Sequence, residues 1–190
     1  KELRLVIEPW FHKYLTKRTY EIEYVEPYKL LDKSRFDIYS KLLFLEQIEN
    51  DRNNYQELYL SFIKAFTLGT FKEPGNKFKV SGDIYIKTFK EIYFNIKQNG
   101  FDIGNSIIPI SKEGNILNGS HRVASLMFLN KKVPIVRLDI KSPDYSYQFF
   151  KSRKVPIQFL DQCAIKEIQI KKNLGKNLKI AIIWPAADRS

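Results

Sequence analysis

The sequence predicts an α+β fold, a small mixed sheet with a large helical insertion. Three observations predict it. Short runs at residues 20–25, 107–110 and 133–138 have the length, alternation or β-branched content of strands. Residues of about 36–99 instead repeat apolar side chains at helical spacing. Between the last two strand-like runs, Asn118-Gly119-Ser120 makes a tight turn into a further helix.

Each element has its own justification. Pro9 opens a short helix near 9–17, because proline suits a first helical turn and not an interior. Tyr20–Val25 alternates apolar and charged residues, and Pro27 ends that strand. Ser34 is placed to cap a helix that runs to about Asn50, with Ile38, Leu42, Leu45 and Ile48 on one stripe. Asp37 and Lys41 stand i, i+4 on it, the spacing of a surface ion pair. A second helix, Tyr55–Thr67, faces Leu58, Tyr59, Phe62, Ile63 and Phe66 inward and stops at Gly69. A polar loop follows over 69–80, and Ser81 caps a long helix to Gln98 that Asn99-Gly100 ends. Ile107–Ile110, a turn at 112–115, a return strand at 115–117, the helix from Ser120 or His121, and Val133–Leu138 come next. Asp144 is placed to cap a short helix to Arg153, Pro156 starts a last helix to about Lys171, and Leu178–Trp184 reads as a final strand.

Length and composition narrow the function classes. The chain's 190 residues, 44% of them hydrophobic, suit one domain with a real core. No apolar run approaches the roughly 20 residues that cross a bilayer. The charged N-terminus lacks the apolar stretch of a signal peptide. The chain starts without Met and stops on Trp-Pro-Ala-Ala-Asp-Arg-Ser, which suggests a domain of a longer protein with further domains in the same chain. Cys163 is alone, so no internal disulfide forms; a buried thiol and a cytoplasmic setting are expected. His12 and His121 are the only histidines and neither stands at ligand spacing from Cys163, which argues against a zinc-type site. A net charge of +11 admits nucleic acid, anionic membranes or polyanionic substrates, but the lysines are scattered along the chain, which argues against nucleic acid.

The chemistry concentrates in Asn118, Gly119, Ser120, His121 and Arg122. A glycine turn into a helix presents free backbone N–H groups, and Arg122 adds a charge-assisted donor. His121 can add another donor or act as an acid or base near neutral pH. Together these residues make an anion site suited to phosphate.

The surrounding residues 114–139, Gly-Asn-Ile-Leu-Asn-Gly-Ser-His-Arg through the Val133-Pro134-Ile135-Val136 strand, resemble the signature of the ParB/sulfiredoxin-like superfamily. There a strand runs into a Gly-x-His-Arg or Gly-x-Arg-Arg turn and a helix, and a Val-Pro-Val strand follows. Pro27-Tyr-Lys-Leu30 is similar to the Pro-x-x-Leu turn after the family's first strand. The resemblance implies one domain over 1–190, with a nucleotide-binding core at about 20–30 and 105–140 and an insertion at about 36–99. It also implies nucleotide phosphates, ATP or ADP with magnesium, on Asn118–Arg122. Ser120 stands where sulfiredoxin has its catalytic Cys, so sulfinic acid reduction is not expected. The free-serine kinases of the superfamily are then the nearest analogy. They suggest phosphoryl transfer to a hydroxyl of a sugar or other small molecule, within a multidomain glycan-assembly enzyme. The alternative is a ParB-like nucleotide-binding regulatory or nucleic-acid-binding module without catalysis. Asn118 stands where an Asp is common, so the base must come from elsewhere: Glu73, Asp37 or His121, with Asp102 and Asp161 as further carboxylates. Arg35, Lys41 and Lys77 are the expected holders of phosphates or an acidic acceptor.

Overall fold

All three expected strand regions pair into one sheet. The computed structural model describes residues 2–51, 54–73 and 78–175. Strands β1 (Glu23–Val25), β2 (Ile108–Ile110) and β3 (Val133–Arg137) form a mixed sheet in the order β1-β3-β2. β1 runs antiparallel to β3, with Glu23 opposite Ile135; β2 runs parallel to β3, with Ile108 opposite Ile135. The return strand expected at 115–117 reduces to a single bridge between Ile110 and Ile116. The strand expected at Leu178–Trp184 lies outside the described residues.

Helices α1 (Asp37–Asn50), α2 (Gln56–Phe66), α3 (Gly82–Asn99), α4 (Ser120–Phe128), α5 (Tyr147–Ser152) and α6 (Ile157–Asn173) make up most of the remainder. Pro9–Tyr14 and Pro27–Leu30 are 3-10 turns, each with its proline at the start. Side-chain alternation divides the sheet's surroundings in two. Ile108, Ile110, Val133 and Ile135 join the main core, whereas Ile107, Val136 and Leu138 pack under Val6, Ile7 and Phe11.

The helical segment is the body of the core and not an appendage. α1 is its axis, with α2, α4 and α6 packed on it. Every residue from Asp37 to Leu45 is therefore buried. The expectation of a single apolar stripe, with Asp37 and Lys41 on the surface, is overturned for that reason. The interior is rich in aromatic rings: Phe44 stacks on Tyr59 at 4.7 Å, and Phe89 tilts against both.

Capping follows the sequence in part. Ser81 Oγ accepts from Ile84 N, and Gly100 ends α3 at φ 81°. Ser34 caps nothing. Its carbonyl accepts from Tyr145 N, Phe36 N donates to the Tyr145 carbonyl, and α1 starts from this bridge across the chain. Asp144 likewise accepts from Ser146 N in a turn before α5, which Ser146 opens. Phe66, expected inside, is 37% exposed and packs against the Tyr145 ring at 4.9 Å.

Candidate functional site

The turn into α4 owes its shape to Gly119. Its φ is 87°, and a Cβ there would lie 2.7 Å from Ile108 Cδ1 and 2.8 Å from Arg122 Nη2, so both backbone and space require glycine. Leu117 N donates to the Pro109 carbonyl and Val123 N to the Gly119 carbonyl, tying the turn to β2 on one side and to α4 on the other. The first helical N–H groups, on Ser120, His121 and Arg122, have no intrahelical acceptor. Arg122 Nη2 donates to Glu8 Oε1 at 2.8 Å, so the N-terminal segment reaches across the turn; the other Glu8 oxygen is buried with no partner among the described residues.

Beside the turn lies a cavity of about 400 Å³, within the range of small-molecule sites. Its lining includes nearly every residue expected to do chemistry: Arg35, Asp37, Lys41, Glu73, Asn118, Gly119, Ser120, His121 and Arg122. Lys77 lies outside the described residues. Asp102 and Asp161 do not line the cavity: Asp102 accepts from Gly104 N and Asn105 Nδ2 in its own loop, and Asp161 is exposed on α6. The lining also includes residues that no sequence pattern singles out: Glu8, Trp10, Lys79 and Tyr145. Trp10 comes from the N-terminal segment and Tyr145 from the bridge to residue 35, long-range arrangements with no local pattern.

Arg35, Asp37 and Lys41 form one buried cluster. Arg35 donates to both Asp37 oxygens at 2.9 and 2.8 Å and to the Ile116 carbonyl at 2.7 Å. Lys41 Nζ donates to Asp37 Oδ2 at 2.8 Å. The Tyr145 ring lies 5.3 Å from the Arg35 guanidinium. Burial alone would push the Asp37 carboxyl up, but Arg35 and Lys41 outweigh it and hold the group well below the usual carboxylate range. Burial pulls the Lys41 amine down against the opposing charge of Asp37. A carboxylate so held is a poor base, and the geometry makes Asp37 an anchor for two cations. Glu73 is paired too, with Lys79 Nζ at 2.6 Å.

His121 packs edge-on against Phe89 at 4.6 Å, and its Nε2 lies 2.9 Å from the Tyr59 hydroxyl. Burial, then the charges of Lys41 and Lys79, push the imidazole well below its ordinary range, with Asp37 opposing and Arg122 adding to the shift. The ring is therefore neutral at pH 7. Burial also raises the Tyr59 phenol well above its ordinary value, so the hydroxyl keeps its proton. That hydroxyl is within 3.4 Å of the Tyr85 carbonyl. When it donates there, Nε2–H donates to the phenol oxygen and Nδ1 is left with a lone pair.

The donor set fits an anion. Each carboxylate on the cavity wall, Glu8, Asp37 and Glu73, is bonded to an arginine or lysine. The described residues contain no group of three or more His, Cys, Asp or Glu able to hold a metal ion. No described helix is long and apolar enough to cross a membrane. No protein-family model, curated protein or solved structure matches this chain.

Proposed function

We propose that the cavity binds the phosphates of a nucleotide, ATP or ADP, and passes a phosphoryl group to a hydroxyl of a small molecule such as a sugar. The observation that carries this is one cavity lined by the N-terminus of α4, by four cationic side chains (Arg35, Lys41, Lys79 and Arg122) and by a neutral imidazole. The resemblance of residues 114–139 to the ParB/sulfiredoxin-like superfamily points the same way. The N–H groups of Ser120, His121 and Arg122 hold a phosphate, and Arg122 neutralises it, exchanging Glu8 for the ligand. Magnesium accompanying the nucleotide would supply further charge neutralisation on the phosphates. His121 Nδ1 takes the proton of the acceptor hydroxyl as that oxygen bonds to phosphorus and the bond to the leaving nucleoside phosphate breaks; the bound phosphates offset the cations that otherwise disfavour the imidazolium. The tyrosine–histidine pair keeps the ring in the tautomer that serves as base.

The pairing of both Asp37 and Glu73 with cations favours one second reading, a nucleotide-binding regulatory module without transfer. Calorimetry with ATP, ADP and CTP, each with magnesium, followed by phosphoryl transfer assays on sugars and small hydroxyl compounds, separates the two. Binding with transfer that His121→Gln abolishes upholds the first reading. Binding without transfer selects the second, and no binding of any nucleotide overturns both.

A further inference from the structure

The cavity's charges do not balance, and the excess has an address. Its wall carries four described cations against three carboxylates. Arg122 pairs with Glu8 and Lys79 with Glu73. Asp37 alone faces two cations, Arg35 and Lys41, whose side chains are each 4% exposed. One cation is enough to balance the charge of a buried carboxylate. A second buried cation adds a desolvation penalty, which the Tyr145 ring offsets only in small part. Donors are also left over. Arg35 has five N–H groups and makes three bonds, to Asp37 Oδ1, Asp37 Oδ2 and the Ile116 carbonyl. Lys41 has three and gives its bonds to the Asp37 side chain at 2.8 Å and, at 3.4 Å, to its carbonyl. A cluster serving only to hold α1 would need neither the extra charge nor a place on a cavity wall.

We propose that the Arg35–Asp37–Lys41 cluster is a second anion subsite, so that the acceptor is an acidic hydroxyl compound bearing a carboxylate or a phosphate. The proposal rests on the phosphotransferase reading for the word acceptor, but the subsite stands on the cluster alone. The α4 turn supplies its own donors for the nucleotide, which leaves this subsite to the acceptor. His121 lines the same cavity as Arg35, Lys41 and Arg122, so the imidazole shares one space with both subsites. An acid group held on Arg35 and Lys41 orients the acceptor so that its hydroxyl meets that imidazole.

The test titrates inorganic phosphate into the protein by calorimetry, using Arg122→Met to disable the turn. Phosphate binding that persists in Arg122→Met and falls at least tenfold in the Arg122→Met/Lys41→Met double variant supports the subsite; equal affinity in the two overturns it. Two further variants guard against misfolding of the double variant. Lys41→Arg keeps the charge and retains binding, and Asp37→Asn, which keeps an acceptor oxygen beside both cations where Asp37→Ala keeps none, raises the excess charge and tightens phosphate severalfold. Phosphate affinity that ignores Asp37→Asn also overturns the proposal. Glycerol 3-phosphate then distinguishes the source of the anion. Binding to the wild type alongside saturating ADP assigns the subsite to an acceptor, and one-for-one competition assigns it to the nucleotide's own phosphate chain, which overturns the acceptor assignment. If ATP and ADP fail to bind while Lys41-dependent phosphate binding remains, the nucleotide reading falls and the subsite stands. If nucleotides bind and phosphate affinity is indifferent to Lys41, the subsite falls alone.

Discussion

The two cationic walls of the cavity are built on opposite plans. The α4 turn relies on backbone: a left-handed glycine, free N–H groups and one arginine matched to a carboxylate from 114 residues away, with both side chains about one-fifth exposed. The Arg35–Asp37–Lys41 wall relies on side-chain charge drawn from seven consecutive residues and buried almost completely. A backbone cradle can wait for its ligand half in water at little cost. A buried surplus of charge is held in place only by the stability of the surrounding core. The first plan makes a site that is sensitive to shape, and the second makes one that is sensitive to charge.

Removing the anchor on the charged wall has the largest expected effect. Asp37→Ala leaves two cations buried without a partner, and about 3–5 kcal/mol of stability is expected to be lost in urea unfolding. A loss below about 1 kcal/mol would show that water reaches the cluster and that the two walls differ less than their burial indicates. Gly119→Ala comes next. The left-handed backbone costs a non-glycine residue about 1–2 kcal/mol, and the contacts with Ile108 and Arg122 add to it. Here nucleotide binding is expected to fall with stability, since the same atoms shape the cradle. Retained binding in a destabilised Gly119→Ala would separate the turn's fold from its function.

Acid separates the walls by pH. The folded His121 pKa lies below the unfolded value near 6.5, so the unfolded chain binds more protons in the interval between them. Stability is therefore expected to fall as pH drops below about 6.5, and His121→Phe is expected to remove that slope. The Asp37 contribution has a different window. Its folded pKa is depressed, so its contribution is complete above the unfolded value near 3.9 and is lost as pH falls further. Urea unfolding from pH 8 to 3 is expected to show two separate declines in the wild type. The upper one is missing in His121→Phe; its persistence there would assign that decline to another group.

The contrast also explains what the sequence revealed. The Asn118–Arg122 turn was legible because its parts are contiguous: a glycine at a strand end, a helical pattern behind it, and polar residues between. The sheet was legible for the same reason, apart from the return strand at 115–117, which forms one bridge. The spacing of Asp37 and Lys41 was legible, but their burial was not. It depends on α2, α4 and α6 enclosing α1, which is a property of the whole core. Glu8, Trp10 and Tyr145 were silent because their place at the cavity depends on long-range packing that leaves no local pattern. Tyr59 read as an inward-facing aromatic, and only the fold shows its hydroxyl against His121.

The smallest stability effect tests the turn most directly. Arg122→Met removes a partly exposed pair worth about 1 kcal/mol or less, because water screens it and holding both side chains costs entropy. Glu8 is freed at the same time and already has one buried oxygen without a partner, so part of even this small loss is the cost of stranding the carboxylate. Nucleotide affinity is expected to fall at least tenfold by calorimetry, since the ligand loses its charged donor while the N–H groups remain. Glu8→Gln gives the opposite sign. It leaves Arg122 without a competing charge and is expected to tighten the nucleotide. A fall in affinity on Glu8→Gln would mean that the ion pair shapes the cradle and does not compete with the ligand, which would make the turn, like the opposite wall, a site that depends on its fixed charges.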